Sequence, residues 1–325
     1  MRGVASKVII LGGGPAGLSC ALWLHNCGHF PVVLERASEC GGMLRLNHHA
    51  NDWLLGFPGA TGLSIRERFM EHLSHHDFQV VTSVALNGLR RSGEGFSVSY
   101  SAGGRAQEAA ADFLALASGM RPRAPAELAA LAASDPKKFI ISAGGLCVDD
   151  FSRGQRVAIL GGGDNAFENA CDLARRGAQI DIYYRGQARA RREWQNRCAA
   201  MPARIALHPR TATSRFAARE GGVSFCANGE RRFADAVVVM HGYEPNTDAL
   251  IALAPWLGEV MDEEGFVKVD EYQRTGMARL YAVGDVTNRP LPCLPSAIGQ
   301  GSVAAKAIVL ESEGMLPAIQ PPLPA

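Results

Sequence analysis

Two stretches of this chain join apolar residues to glycines at a spacing that could hold a phosphate. One is Gly12-x-Gly14-Pro15-Ala16-Gly17, entered from Val8-Ile9-Ile10-Leu11. The other is Gly161-Gly162-Gly163-Asp164-Asn165-Ala166, entered from Val157-Ala158-Ile159-Leu160. A buried strand that turns through glycines into a helix aims backbone N–H groups and a helix N-terminus at a pyrophosphate. One such motif is weak evidence, because glycine turns are common. Two in the same strand–turn–helix context imply two dinucleotides and electron transfer between them. Glu35 follows Gly17 at close to the spacing of an acid that holds ribose hydroxyls.

The end of the second unit's next strand carries a different chemistry. After Asp181-Ile182-Tyr183-Tyr184 come Arg185, Arg189, Arg191 and Arg192. An NAD site would end this strand on an acid. An arginine suits the 2′-phosphate of NADP(H), because a guanidinium pairs bidentately with phosphate oxygens. A solvated basic face is the plainer reading of the same arginines. Asp181 lies inside the strand and is not read as the ribose acid. The eight cysteines are scattered, with no Cys-x-x-Cys and no zinc-like spacing, which suggests reduced thiols in a cytoplasmic protein. The tandem pairs His48-His49 and His75-His76 are poor chelates, and no metal site is expected.

The elements that position these groups alternate between strand and helix. Lys7 to Leu11 reads as a strand. Pro15 to about Cys27 reads as a helix that offers Leu18, Ala21, Leu22 and Trp23 for packing. Pro31 to Leu34 reads as the next strand, ending at Glu35-Arg36. Phe96 to Tyr100 and Phe113 to Ala117 are further strands, and the Pro/Arg-rich Met120 to Pro125 is a first interdomain crossing. A second βαβ unit starts at Gln155, with a helix from Asn165 to Arg176 and a strand from Gln179 to Tyr184. Ala236 to Met240 is a strand that leads into a second crossing, His241 to Thr247. Leu280 to Val283 precedes Gly284-Asp285 and a helix from about Ser296. The expected fold is α/β, with two Rossmann-like three-layer nucleotide-binding domains, the second inserted into the first. Residues 1–119 and 246–325 would form the discontinuous first domain and residues 120–245 the second. The Pro-rich tail from Gly314 is expected to be loosely ordered. A formal net charge of +1 gives no electrostatic case for nucleic acid or membrane. Gly12 to Pro15 breaks the N-terminal apolar run, which argues for a nucleotide-fold strand rather than a signal peptide.

These positions resemble the low-molecular-weight thioredoxin reductases, a family of two-domain flavoproteins, over nearly the whole chain. The first glycine motif, Glu35, Gly41-Gly42 and Phe57-Pro58-Gly59 carry the likeness. So do the second glycine motif with Glu168, Gly242-x-x-Pro245-Asn246-Thr247, and Tyr281-Ala282-Val283-Gly284-Asp285. The resemblance implies FAD in the first domain and NADPH in the second. It implies FAD contacts from the first glycine motif, Glu35, Arg36, Gly41, Gly42, Met43, Ser118, Gly119, Gly284, Asp285, Ser296 and Ala297. It implies coenzyme contacts from Gly161, Gly163, Asp164, Asn165, Ala166, Arg185 and Arg191. The helix near Gly299 to Gly301 would point at the flavin. A homodimer is implied by the resemblance alone.

One family feature is missing. Thioredoxin reductases carry a redox Cys-x-x-Cys just before the second glycine motif, but this chain reads Ser142-Ala143-Gly144-Gly145-Leu146-Cys147. A dithiol relay needs two sulfurs within disulfide reach, and Gly144 stands where the first should be. The nearest type is therefore the thioredoxin-reductase-like ferredoxin/flavodoxin–NADP reductases, whose C-terminal segment is similar to Leu294-Pro295-Ser296-Ala297-Ile298-Gly299-Gln300-Gly301. The activity implied is hydride transfer from NADPH to flavin N5, then electron transfer to an external acceptor such as ferredoxin or flavodoxin. Flavin chemistry needs no catalytic side chain. Two alternatives stay open. One is a disulfide or small-molecule reductase that uses Cys147 or Cys293. The other is an FAD-binding sensor or partner protein without NADPH turnover.

Overall fold

The computed structural model describes residues 5–142 and 144–316. Ala143 and most of the Pro-rich tail lie outside them. The chain divides into two compact units: Met1–Arg45, Asn51–Met120 and Pro245–Ala325 form one, and Leu46–Ala50 with Arg121–Glu244 forms the other. The grouping of Leu46–Ala50 differs from the sequence expectation, which kept it in the first domain. The reason is local: the His48 N–H donates to the Gly145 carbonyl (3.2 Å).

The first unit is built on a five-stranded parallel sheet. Lys7–Leu11 lies at its centre between Phe30–Leu34 and Phe113–Leu116. Gln79–Val81 and Leu280–Ala282 form the edges. The strands are near-continuous apolar runs because both faces are covered. Successive side chains alternate between two separate cores. Val8, Ile10, Val33 and Ala115 face the helices Pro15–Asn26 and Leu294–Ser312, meeting Cys20, Ala21, Leu24, Ala304 and Ile308. Ile9, Leu11, Leu34 and Leu116 face an antiparallel sheet of Ala85–Ser92, Gly95–Ala102 and Arg105–Ala111, meeting Leu89, Phe96 and Val98. The result is three layers: helix, parallel sheet, antiparallel sheet.

The second unit repeats this plan. Its parallel sheet runs Ile205–Pro209, Gln179–Tyr184, Arg156–Leu160, Ala236–Val239 and Phe139–Ile141 in spatial order. Val157 and Ile159 pack on the Asp164–Arg175 helix through Phe167 and Ala170. Ala158 and Leu160 pack on the antiparallel sheet Thr213–Arg219, Gly222–Ala227 and Glu230–Ala234 through Val223 and Phe225.

Three further expectations need correction. Trp23 is 48% exposed, and Leu24 takes the buried position on that helix. A 3.6-residue period places 24, not 23, on the face of residues 20 and 21. The two crossings are not plain loops: Met120–Pro122 and Tyr243–Pro245 pair as a two-stranded sheet, with Arg121 Nε on Glu244 Oε1 at 2.7 Å. The last helix starts at Leu294, before Ser296, with the Cys293 and Ser296 pair as its capping box. Among the described residues no helix is long and apolar enough to cross a membrane.

Candidate functional site

The three glycines of the first motif do two different jobs. A Cβ at Gly12, which has φ +123°, would collide with the carbonyl of Ala117, and one at Gly17 would collide with the carbonyl of Gly12. These two glycines are required by the protein's own packing. Gly14 is not. Its φ of −77° and ψ of 176° suit any residue, and the nearest atom to its would-be Cβ is 3.9 Å away. The open space in front of Gly14, at the helix N-terminus, is where a phosphate would approach.

Glu35 is held beside this turn. One carboxylate oxygen accepts from the Gly13 N–H (2.7 Å) and the other from the Ala37 N–H (2.8 Å). Each oxygen keeps a second lone pair for a hydroxyl donor. Gly41 donates its N–H to the Gly13 carbonyl (2.8 Å), and a Cβ on Gly42 would lie 3.1 Å from Gly14 Cα. Gly41-Gly42 thus closes one side of the turn. Arg66 supports it by donating Nε to the Cys40 carbonyl (2.7 Å) and pairing with Glu39 (2.8 Å). Nothing in the spacing of the sequence pointed to Arg66. Arg36 is exposed and Met43 half-buried.

At the carboxyl ends of the adjacent strands Phe113–Leu116 and Leu280–Ala282 sit two orphaned groups. Ser118 Oγ and Asp285 Oδ1 are buried with no hydrogen-bond partner among the described residues. Burial pushes the Asp285 carboxyl above the usual range. Leaving such a group unsatisfied is costly, so this pair fits a ligand rich in hydroxyls and ring nitrogens, as FAD is. Asn246 arranges the neighbouring backbone by donating to the carbonyls of Ser118 (3.2 Å) and Gly119 (3.0 Å). Gln300 Oε1 accepts from the Gly284 N–H (2.7 Å). Ser296 is occupied in the capping box, donating to the Cys293 carbonyl (2.9 Å), and Ala297 packs toward Gly284. Gly301 is a packing glycine, because a Cβ there would strike the Ala16 carbonyl.

The second motif repeats the division. A Cβ on Gly161 would strike the Met240 carbonyl, whereas Gly163, at φ −96° and ψ 178°, has no atom within 4 Å of that position. Ala166 occupies the third-glycine place and is fully buried. A pocket opens here, lined by Ser142, Gly163, Asn165, Arg189, Gly242 and Tyr243 among others. Asn165 donates to the Tyr243 hydroxyl (3.0 Å). Arg185 is exposed at the strand end. Burial and the Arg185 guanidinium together push His241 below the usual histidine range. Asp181 is engaged by His208 Nε2 at 2.7 Å. Arg191, expected from sequence to bind coenzyme, pairs with Asp164 at 2.7 Å.

Where the family's dithiol would stand, the backbone is tightly packed. A Cβ on Gly145 would overlap the His49 ring, and one on Gly144 would lie 3.2 Å from the Leu46 carbonyl. His49 in turn lies 3.4 Å from Asp172 and 3.8 Å from Glu168. Cys147 is half-buried and Cys293 exposed. The fold brings together a different pair, Cys171 and Cys198, with their sulfurs 3.4 Å apart and buried between two helices. Burial also pushes Cys20 up to about 12 and Cys40 up to about 11. Native-state alkylation with iodoacetamide is therefore expected to label Cys27 and Cys293, while Cys20, Cys40, Cys171 and Cys198 react only after denaturation. Peptide mass mapping checks this, and native labelling of Cys20 or Cys171 would contradict the packing.

Two open nests lie at the carboxyl edges of parallel sheets, one beside an orphaned buried acid, and by its family the chain is a flavoprotein oxidoreductase that works with FAD and a pyridine nucleotide. The chain belongs to the pyridine nucleotide-disulphide oxidoreductase family, whose pattern matches residues 6–301. It is 30% identical over 181 residues to a thioredoxin reductase of Vibrio cholerae, a match that spans 55% of this chain and 54% of that protein. It is 25% identical over 317 residues to a ferredoxin–NADP reductase of Levilactobacillus brevis, covering 94% and 93% of the two chains. The solved thioredoxin reductase of T. acidophilum shares the fold, with a TM-score of 0.78, 21% identity, and coverage of 96% of this chain and 99% of that one.

Proposed function

We propose that this protein takes reducing equivalents from NADPH onto FAD and passes them to an external acceptor of the ferredoxin or flavodoxin type. The observation that carries the reading is the pair of open glycines, Gly14 and Gly163, each at the head of a helix. Bound FAD would supply the chemistry of hydride acceptance and electron release. The first unit would hold it. Glu35 would accept from ribose hydroxyls, the Gly13–Gly14 backbone and helix N-terminus would face the pyrophosphate, and Asp285 and Ser118 would meet the remaining hydroxyls. The second unit would hold NADP(H), with Gly163 and Arg189 toward the pyrophosphate and Arg185 toward the 2′-phosphate.

The choice of acceptor rests on what occupies residue 144. With Gly144 in place of the first cysteine, a Cys-x-x-Cys relay to thioredoxin is disfavoured. The full-length likeness to a protein named ferredoxin–NADP reductase points the same way. All eight cysteines are free thiols, which supports a reducing compartment such as the cytoplasm. A homodimer belongs to the same proposal.

Stopped-flow mixing with NADPH and NADH, followed by addition of ferredoxin, flavodoxin or thioredoxin, tests the proposal. Rapid flavin bleaching by NADPH and reoxidation by ferredoxin or flavodoxin are expected. Turnover of thioredoxin, or no bleaching with either coenzyme, would overturn it. Arg185→Ala is expected to raise the KM for NADPH about tenfold and to leave that for NADH nearly unchanged, because only one coenzyme offers a phosphate to the guanidinium. Equal effects on the two would remove the 2′-phosphate assignment.

A further inference from the structure

Asp164 is out of place for a phosphate site. It is the first residue of the Asp164–Arg175 helix, where the N-terminal dipole and free N–H groups favour an anionic ligand and a fixed carboxylate competes with it. Its surroundings account for it. The Arg191 N–H donates to Asp164 Oδ1 (2.6 Å) and the Arg191 Nε donates to Oδ2 (2.7 Å), so a single residue engages both carboxylate oxygens. Just upstream, the N–H groups of Arg189 and Ala190 both donate to the Gly162 carbonyl (2.7 and 3.0 Å). Residues 189–191 are thereby fastened to the glycine turn itself, with Arg189 lining the open pocket beside Gly163.

We infer that Asp164 and Arg191 form a latch that sets this loop over the nest before coenzyme arrives. Arg191 is a positioning residue, and Arg189 is the arginine that meets the pyrophosphate. The inference rests on the reading of this pocket as the pyridine-nucleotide site. The carboxylate fixes the loop and Arg191 cancels its charge, so an acid is tolerated at a helix end that must also receive phosphates. The latch grips the loop rather than the 2′ position, so it acts on NADPH and NADH alike.

The test uses the purified holoenzyme with Asp164→Ala, Arg191→Ala and the double variant. Hydrogen exchange of residues 186–191 is measured without coenzyme, and equilibrium binding is measured with NADPH and NADH. Each single variant is expected to speed exchange in this loop and to weaken both coenzymes by a similar factor, roughly fivefold for a half-exposed ion pair. The double variant is expected to be no worse than either single one, because the two residues act as one contact. Three outcomes would overturn the latch: unchanged exchange in the loop, a loss confined to NADPH in Arg191→Ala, or tighter binding in Asp164→Ala. If the unmodified protein bound neither coenzyme, the functional reading would fall, and the exchange data would still decide the latch.

Discussion

A Gly163→Val variant is expected to fold with an unchanged Tm, keep its flavin and lose reduction by NADPH. Gly14→Val is expected to fold and to emerge from purification without flavin. Both glycines have extended backbone angles open to any residue, and a Cβ at either meets no protein atom closer than 3.9 Å. Neither is glycine for its own conformation or for packing, so the cost of a side chain falls on whatever enters the nest. An overfilled site costs about 1–3 kcal/mol or more per overlap, which is roughly a hundredfold in affinity. Gly12→Ala and Gly161→Ala supply the contrast, since there the new Cβ strikes the carbonyls of Ala117 and Met240. Those variants should lose stability before they lose ligand. Thermal melts beside the flavin-to-protein absorbance ratio separate the two cases, and a fall in Tm for Gly163→Val would assign that glycine to packing.

Asp285→Asn is expected to move stability and function in opposite directions. The folded carboxyl binds its proton more tightly than the unfolded one, because burial penalises the charge. The sign follows by linkage. Its contribution to stability is fully present below the unfolded Asp value, about 3.9, and is lost as pH rises through the higher folded value. Above that folded value the flavin-free protein carries a buried charge that the Asn variant does not. The stability advantage of the variant over the parent is expected to be near zero below about pH 4 and to grow toward neutrality, as read from urea midpoints. The flavin-loaded comparison should reverse. A charged acceptor bonds roughly twice as strongly as a neutral one, so FAD affinity is expected to fall about tenfold. An Asn variant less stable than the parent without flavin would show that the carboxylate has a protein partner after all.

The two glycine units were legible because their constraints are local. Gly12 needs a positive φ, Gly17 needs a missing Cβ, and both needs are written in spacing. The parallel strands were legible because burial on both faces forces continuous apolar runs such as Val8 to Leu11. The antiparallel layers were largely not. Arg105–Ala111 is rich in alanine and carries the local preference of a helix, and only pairing with Gly95–Ala102 makes it a strand. Ala85–Ser92 is mostly solvent-facing and shows little apolar period. At the site, Glu35 and Asp285 could be placed from their motifs. The role of Arg191 could not, because an arginine in a basic run looks the same whether it meets a phosphate or a carboxylate. Cys171 and Cys198 belong to different helices and meet only through their packing.

The contact of His49 with Gly145 bears on redesign. Installing a working dithiol ahead of the second motif looks from the sequence like one codon, Gly144 to cysteine, because Cys147 is already present. The folded chain attaches one local cost to that codon. A Cβ at 144 would lie 3.2 Å from the Leu46 carbonyl, which must give slightly, whereas residue 145 can stay glycine beneath the His49 ring. The ring then keeps its places beside Asp172 and Glu168. One substitution therefore brings both sulfurs into the chain, and what separates this protein from a dithiol sequence is a small displacement of the backbone at Leu46.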